Sequence, residues 1–278
     1  MNIQLVALDL DGTLYNSNKE ITPNTKAAIE RIILEGKKAV IATGRPFSGI
    51  TDNVLAIKGL QYAICSNGSS IYEIKTGKCL YEDSMPTTRV KELVIEAMSH
   101  PVMVEVFLAG HSYIDSKYSH IIESMDMPES AKEYFKKVRV TVDHVEEYLL
   151  SSKDKPQKVS VNFTKEEDGT YLHRNELLEI ATKYPEFIGV SGGLGNLEFT
   201  NTTATKGNAL IKLAQLLNLS IDQTMGIGDS ENDKDMILKA GIGVAMANAE
   251  PEILQIADFV TKSNNEDGIA YAIEQFIK

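Results

Sequence analysis

Several short stretches of this chain carry side chains suited to holding an anion and a metal ion. Asp9-Leu10-Asp11-Gly12-Thr13 sets two carboxylates two residues apart, directly after the apolar run Gln4–Leu8. Alternation along a strand puts Asp9 and Asp11 on one side, and Gly12 lets the backbone turn sharply behind them. Two carboxylates this close repel, so both stay ionised only beside a cation, unless one holds a proton. A single Asp there could simply cap a helix; two favour a nucleophile and an acid/base gathered on Mg2+. Thr43-Gly44-Arg45 follows a second apolar run, and Pro46, expected to open a helix, would make it an anion site at a helix N-terminus. Ser66-Asn67-Gly68 ends a third run and reads equally well as a loop or a substrate contact.

The second group of motifs lies near the other end. Thr205-Lys206-Gly207 opens a helix. A lysine there opposes the helix dipole, so pairing with a phosphate explains it better than solvation does. It is not a Walker A loop, because the upstream glycine spacing and the Ser/Thr after Lys are missing. Asp229 ends another strand within Gly228–Asp233, and Asn232 and Asp233 follow on one face of the next helical turn. An acidic first turn stabilised by its dipole is the plainer alternative there. Asn248, in the segment Met246–Pro251, is expected to shape a loop beside the site.

The elements that must hold these residues follow from the hydrophobic pattern. Gln4–Leu8, Lys38–Thr43 and Gln61–Cys65 read as buried strands, and between the first two lies a helix capped by Thr22, begun at Pro23 and closed by Gly36. Ala27, Ile29, Ile32 and Ile33 form its expected inner face. Strand–helix–strand order implies right-handed βαβ units in a parallel sheet. Ser70–Tyr81 reads as a hairpin turning at Thr76-Gly77. The rhythm resumes with a helix over Asn208–Leu217, a strand over Thr224–Gly228, a helix over Asp233–Lys239 and a strand over Ile242–Ala245. Helices beginning at Pro251 and over Ile269–Ile277 complete it.

The middle differs. Val102–Leu108 and Val159–Phe163 alternate as half-exposed strands of an antiparallel sheet would. Tyr184-Pro185 and Ser191–Gly195 mark turns near the end of this region. The expected fold is therefore α/β: a Rossmann-like parallel-sheet core over residues 1–83 and 196–278, with an α+β domain over 84–195 inserted into it. All five histidines (His100, His111, His120, His144, His173) fall in the insert, which excludes a Ser-His-Asp triad confined to the core.

Composition bounds the partners. The chain has 278 residues, 43% hydrophobic and 24% charged, with 28 basic and 39 acidic side chains giving −11. That charge opposes nucleic acid and anionic lipid. No run approaches a membrane span, and the first ten residues do not look like a signal peptide, so a cytoplasmic protein is expected. Cys65 and Cys79 are too few for a disulfide scaffold. An anionic substrate would require the site to reverse the protein's field locally.

Taken in order, D-L-D-G-T, T-G-R, S-N-G, T-K-G (Thr205–Gly207), G-D-S-E-N-D (Gly228–Asp233) and A-M-A-N-A (Ala245–Ala249) resemble the haloacid dehalogenase (HAD) superfamily. The closer resemblance is to its Cof-type sugar-phosphatase branch, which carries a class 2B cap inserted after the third core strand. The resemblance implies that Asp9 is the nucleophile that takes the phosphoryl group and Asp11 the acid and then the base. It implies Mg2+ held by Asp9, Asp11 (mainly through its carbonyl) and Asp229, with Asp233 supporting from behind. Leu10, Thr43, Gly44, Lys206 and Asn232 would bind the phosphoryl oxygens. The activity implied is Mg-dependent hydrolysis of small phosphate monoesters, sugar phosphates first among them, through an aspartyl-phosphate. A phosphomutase, or a regulatory protein that binds phospho-ligands without turnover, remains open on the motifs alone. Specificity would come from the cap, where His111, Tyr113, Arg139, His173 and Arg174 are polar enough but read more simply as surface residues. Ser69 and Ala247 depart from the family's common Ala and Gly, and neither position carries a proposed catalytic role.

Overall fold

The computed structural model describes residues 2–125, 127–191 and 195–277. Of the turn expected at Ser191–Gly195, residues 192–194 lie outside that range. The chain divides into two compact units, Met1–Glu82 with Ala204–Lys278, and Asp83–Thr203.

The first unit begins with β1 (Leu5–Leu8), α1 (Pro23–Leu34), β2 (Lys38–Ala42), α2 (Asp52–Leu55), β3 (Tyr62–Cys65), β4 (Ser70–Glu73) and β5 (Lys78–Glu82). The second unit holds α3 (Thr87–Ala97), β6 (Met103–Leu108), β7 (His111–Asp115), α4 (Ile121–Ser124), α5 (Glu129–Val138) and β8 (Arg139–Val142). It continues through α6 (Val145–Ser151), β9 (Pro156–Asn162), α7 (Arg174–Ala181), β10 (Phe187–Ser191) and β11 (Asn196–Asn201). The chain then returns to the first unit with α8 (Lys206–Leu216), β12 (Thr224–Gly228), α9 (Lys234–Lys239) and β13 (Ile242–Ala245). It ends with α10 (Pro251–Ile256), β14 (Phe259–Val260) and α11 (Gly268–Phe276).

The first unit is built on one sheet in the order β14-β13-β12-β1-β2-β3-β4-β5. Its strands run parallel from β14 to β3, and β4 and β5 are antiparallel additions. Alternation along β1 sends Leu5 and Ala7 to a core shared with Ala209, Leu210 and Leu213 of α8 and Met236 of α9. Val6 and Leu8 point the other way, against Ile29 and Ile32 of α1 and Ile269 and Ile273 of α11. Helices thus cover both faces, which is the Rossmann-like α/β arrangement and explains why the parallel strands are almost wholly apolar. Each such fully buried aliphatic side chain contributes roughly 1.5–3 kcal/mol. The parallel direction also brings the C-terminal ends of β1, β2, β3, β12 and β13 to one edge, and every motif of the core follows one of those ends or opens α8.

Local signals mostly act as their chemistry dictates. Thr22 caps α1 by accepting from Thr25 N–H at 3.2 Å, and Pro23 follows at the first helical position. Ala27, however, is exposed, and Thr25 takes the inward position instead. Pro46 does not start an α-helix. It is extended (ψ 163°) and precedes a three-residue 3-10 turn, Phe47–Gly49, that ends at extended Ile50. So short a turn aligns too few peptide dipoles to give Thr43–Arg45 the helix N-terminus expected of it.

The second unit carries a sheet in the order β10-β11-β9-β6-β7-β8, antiparallel except between β7 and β8. Its alternation is real, but neither β6 nor β9 is half-exposed: both are buried at every position. Val104, Val106, Val159 and Val161 pack with Val90, Leu93, Leu149 and Leu177 of the helices on one side. On the other side the polar residues are buried in pairs. Glu105 meets Arg139 at 2.8 Å, with side-chain exposures of 1% and 9%, and Lys158 meets Glu198 at 2.7 Å. Asn162 Nδ2 and Ser112 Oγ also donate to Glu105, at 2.8 and 2.7 Å. Arg139 is therefore a half-buried structural cation whose guanidinium is spent on Glu105 rather than a solvated surface residue. Burying an unpaired charge would be prohibitive, and mutual pairing is what lets a polar strand face leave water.

Candidate active site

The end of β1 delivers Asp9 into the interior of the first unit. Its backbone N–H continues the ladder to Ile227 O at 3.0 Å, and its side chain is 7% exposed. Lys206, the first residue of α8, reaches it from across the sheet edge: Nζ donates to Asp9 Oδ1 and to Asp233 Oδ1, each at 2.7 Å, and to Asn232 Oδ1 at 3.1 Å. Thr205 positions that lysine, because its hydroxyl accepts from Asn208 N–H at 3.1 Å and starts the helix there. This settles why a lysine occupies a helix N-terminus. Its ammonium is paired with the Asp9 and Asp233 carboxylates, which outweigh the unfavourable dipole.

Asp229 follows β12, and Thr13 Oγ1 donates to its Oδ1 at 2.7 Å. Asp233 Oδ2 accepts from the N–H groups of Asp229 and Ser230 at 3.1 and 3.2 Å, so it fixes the turn and faces Lys206 at once. Carboxylate oxygens of Asp9, Asp229 and Asp233 all lie within 4.8 Å of one another. Against these three carboxylates Lys206 brings a single positive charge, and an all-oxygen donor set of this kind suits a hard divalent cation. Gly12 is required beside them: its φ is +90°, and a Cβ there would sit 2.3 Å from Asp229 Oδ2.

Asp11 is held apart from that group. Arg45 donates to it twice, Nε to Oδ2 at 3.0 Å and Nη2 to Oδ1 at 2.9 Å, and Lys19 Nζ adds a contact at 2.9 Å. Thr43 is buried, its hydroxyl accepting from Arg45 N–H at 3.2 Å. Asn248 Nδ2 donates to Gly12 O at 2.8 Å and so steadies the β1 turn, as a loop-shaping residue should.

The electrostatics follow from burial and these partners. Burial, reinforced by Asp233, pushes Asp9 well above the ordinary carboxylate range, and Lys206 pulls the other way. Burial likewise raises Asp229 to about 6, with Asp233 and Asp11 adding to it and the Thr13 hydrogen bond opposing it. Burial works to raise Asp11, but Arg45 and then Lys19 outweigh it and hold the group below its usual value. Burial disfavours the charge on Lys206, yet Asp233 and Asp9 more than compensate and keep it an ammonium. Burial pushes the Cys65 thiol far up, which makes it unfit as a nucleophile.

The arrangement thus brings together Asp9, Lys206, Asn232, Asp229 and Asp233, with Leu10 and Gly44 in the adjoining turns. It sets the Asp11 carboxylate against Arg45. Lys19 was not legible beforehand, since it lies in a polar loop with no pattern of its own. Arg45 and Thr13 were inside recognised motifs, and only the three-dimensional structure gives them partners.

A sequence model of the haloacid dehalogenase-like hydrolases matches residues 6–273. The chain belongs to that family. Among relatives of this HAD-like hydrolase, the Bacillus subtilis (strain 168) protein named "Putative phosphatase YxeH" is 32% identical over 288 residues, spanning 99% of this chain and 98% of that one. A solved haloacid dehalogenase-like hydrolase from B. subtilis superimposes with a TM-score of 0.84 at 25% identity, over 99% of this chain and all of the other. A structure described as a HAD subclass IIB sugar phosphatase gives a TM-score of 0.79 at 23% identity, over 98% of each chain, and so shares the fold. Among the described residues no helix is long and apolar enough to cross a membrane.

Proposed function

We propose that this HAD-like hydrolase is a Mg2+-dependent phosphatase of small phosphate monoesters, sugar phosphates foremost, acting through an aspartyl-phosphate on Asp9. The observation that carries this reading is the buried Lys206 ammonium hydrogen-bonded to Asp9, with the Asp229 and Asp233 carboxylates alongside. Lysine is a point charge suited to a phosphoryl oxygen, and the carboxylate surplus suits a divalent cation. Mg2+ held by Asp9, Asp229 and the Asp11 backbone, with Asp233 behind, would supply the charge that neutralises the phosphoryl oxygens.

The chain's own groups do the rest. An Asp9 oxygen attacks phosphorus in line while the ester P–O bond breaks, and Asp11, which must first take up a proton from solvent against the pull of Arg45 and Lys19, gives that proton to the leaving alcoholate. Asp11 then takes a proton from water, whose oxygen attacks the same phosphorus and returns Asp9 as a carboxylate with release of inorganic phosphate. Lys206, Thr43, Asn232 and the N–H groups of Leu10 and Gly44 bind the phosphoryl oxygens throughout. Residues 84–195 are assigned the role of a cap that selects the leaving group, and the net charge of −11 supports a small metabolite over nucleic acid. The two free thiols fit a cytoplasmic setting.

The reading is tested by turnover of a panel of phosphate monoesters with Mg2+ and with EDTA. Hydrolysis that requires the metal and is abolished in Asp9→Asn is expected; full activity in Asp9→Asn would overturn the covalent route.

A further inference from the structure

The turn after β3 takes no part in the reaction as written above, yet its backbone is unusual. Ser66, Asn67 and Gly68 have successive positive φ values of 53°, 59° and 103°. Left-handed backbone is uncommon outside glycine and persists only where the surroundings dictate it. Here they do. Ser66 N–H donates to Arg45 O at 2.9 Å, Asn67 N–H donates to Thr43 O at 3.1 Å, and a Cβ on Gly68 would fall 2.1 Å from Thr205 O. The turn is wedged between the Thr43–Arg45 motif and the start of α8, so its side chains have little freedom to move.

Asn67 is 5% exposed, and its Oδ1 accepts from Asn232 Nδ2 at 3.3 Å. On its other side the Asn232 amide accepts: Oδ1 receives Lys206 Nζ at 3.1 Å and Ser230 Oγ at 3.0 Å. Lysine can only donate, so the oxygen of Asn232 must face Lys206 and the nitrogen must face Asn67. An amide nitrogen has two hydrogens, and Asn67 takes one of them. The contacts therefore run unbroken from Asn67 through Asn232 and Lys206 to Asp9.

We propose that Asn67 is a positioning residue for phosphoryl transfer, holding the Asn232 amide so that its second N–H is offered to a phosphoryl oxygen beside Lys206. The proposal rests on the phosphatase reading above. Its logic is that a donor aimed at a reacting group loses far more from a small displacement than the energy of the hydrogen bond that aims it.

The test compares wild type, Asn67→Gly, Asn67→Asp, Asn232→Ala and the Asn67→Gly/Asn232→Ala double variant, with nitrophenyl phosphate and Mg2+. Glycine suits φ 59° and removes the side chain without backbone penalty, and thermal unfolding checks that the variant folds. In Asn67→Gly, kcat falls about tenfold while KM stays within about twofold. Asn67→Asp, which keeps an acceptor oxygen and tolerates left-handed backbone, stays within about threefold of wild type. On the Asn232→Ala background Asn67→Gly adds less than about twofold, because the two act as one unit. Wild-type kcat in Asn67→Gly, an Asn67→Asp variant as slow as Asn67→Gly, or a loss that multiplies undiminished onto Asn232→Ala would each overturn the proposal. Wild-type protein that hydrolyses no monoester would defeat the phosphatase reading, and this proposal would fall with it.

Discussion

Lys206 Nζ lies 2.7 Å from Asp9 Oδ1, and the two side chains are 0% and 7% exposed. A buried ion pair of this kind is weak evidence for stability, since desolvation offsets most of its attraction. Its placement at the meeting of β1 and α8 makes sense as preparation for an anion, because the charges are already out of water and oriented.

Removing one partner of such a cluster should be far more damaging than the pair is stabilising. Lys206→Met leaves Asp9 and Asp233 facing each other without their cation, at a cost of about 3–5 kcal/mol in metal-free protein. Chemical denaturation in EDTA checks this, and Mg2+ should recover part of the loss. Turnover should fall by about a thousandfold with or without added metal, because the charge assigned to the phosphoryl oxygens is gone. A variant as stable as wild type in EDTA would show that Lys206 does not compensate those carboxylates.

The carboxyl shifts give a pH dependence with a definite sign. Asp9 is raised, and Asp229 is raised to about 6, against roughly 3.9 for an unfolded Asp. A raised group contributes stability that is fully present below its unfolded value and is lost as pH rises through its folded one. Metal-free protein should therefore melt at lower temperature at pH 7.5 than at pH 5. Mg2+ should raise the melting temperature more at pH 7.5 than at pH 5, since binding needs ionised carboxylates. Asp11 is lowered, so its contribution changes only below about 4, outside this window. Thermal melts across pH 5–8 with EDTA or Mg2+ decide it; a metal effect that is larger at pH 5 would contradict the assignment.

Legibility from sequence varied with the kind of interaction. Asp9, Lys206 and Asp229 were legible because each follows a strand end or opens a helix, and the parallel sheet brings those ends to one edge. Arg45 on Asp11 was not, because a motif fixes where a residue starts and not which partner its long side chain finds. In the second unit, Val104-Glu105-Val106 and Lys158-Val159-Ser160 alternate just as a solvated strand would. Only the partners Arg139 and Glu198, distant in sequence, reveal that the polar side is buried. Pro46 misled for a local reason: proline tolerates the first turn of an α-helix and extended backbone equally, and here the 3-10 turn after it stops within three residues.

Arg45 should matter most where proton transfer matters most. Its two hydrogen bonds orient Asp11, the group assigned to protonate the leaving oxygen. An alkyl leaving group needs that proton, whereas nitrophenolate departs with little help. Arg45→Ala should therefore lower kcat about tenfold or more on an alkyl phosphate and only a few-fold on nitrophenyl phosphate. It should also relax Asp11 upward toward the usual carboxylate range, which by itself favours the protonated acid and moves any alkaline limb to higher pH, so the loss reports lost orientation only where it persists across pH 5–8. Equal losses on both substrates would show that Arg45 serves binding rather than the proton.

Gly12 and Gly77 separate backbone strain from damage to the site. Both have positive φ, +90° and +67°, so alanine at either costs about 1 kcal/mol or more through the left-handed backbone alone. Around Gly77 the nearest atom to a new Cβ is Phe47 Cε1 at 3.8 Å, which is ordinary contact. At Gly12 the same atom would stand 2.3 Å from Asp229 Oδ2, and Asp229 is already tied to Thr13 at 2.7 Å. Something must move, and the freest group is the Asp229 carboxylate, which the proposed metal needs. Gly77→Ala should lose stability but keep wild-type turnover and Mg2+ affinity. Gly12→Ala should lose more stability and weaken Mg2+ by at least about tenfold, in the range typical for a displaced neighbour of a metal ligand. Isothermal titration with Mg2+, beside melting curves for both variants, reads the two effects separately; unchanged Mg2+ binding in Gly12→Ala would place the metal away from Asp229.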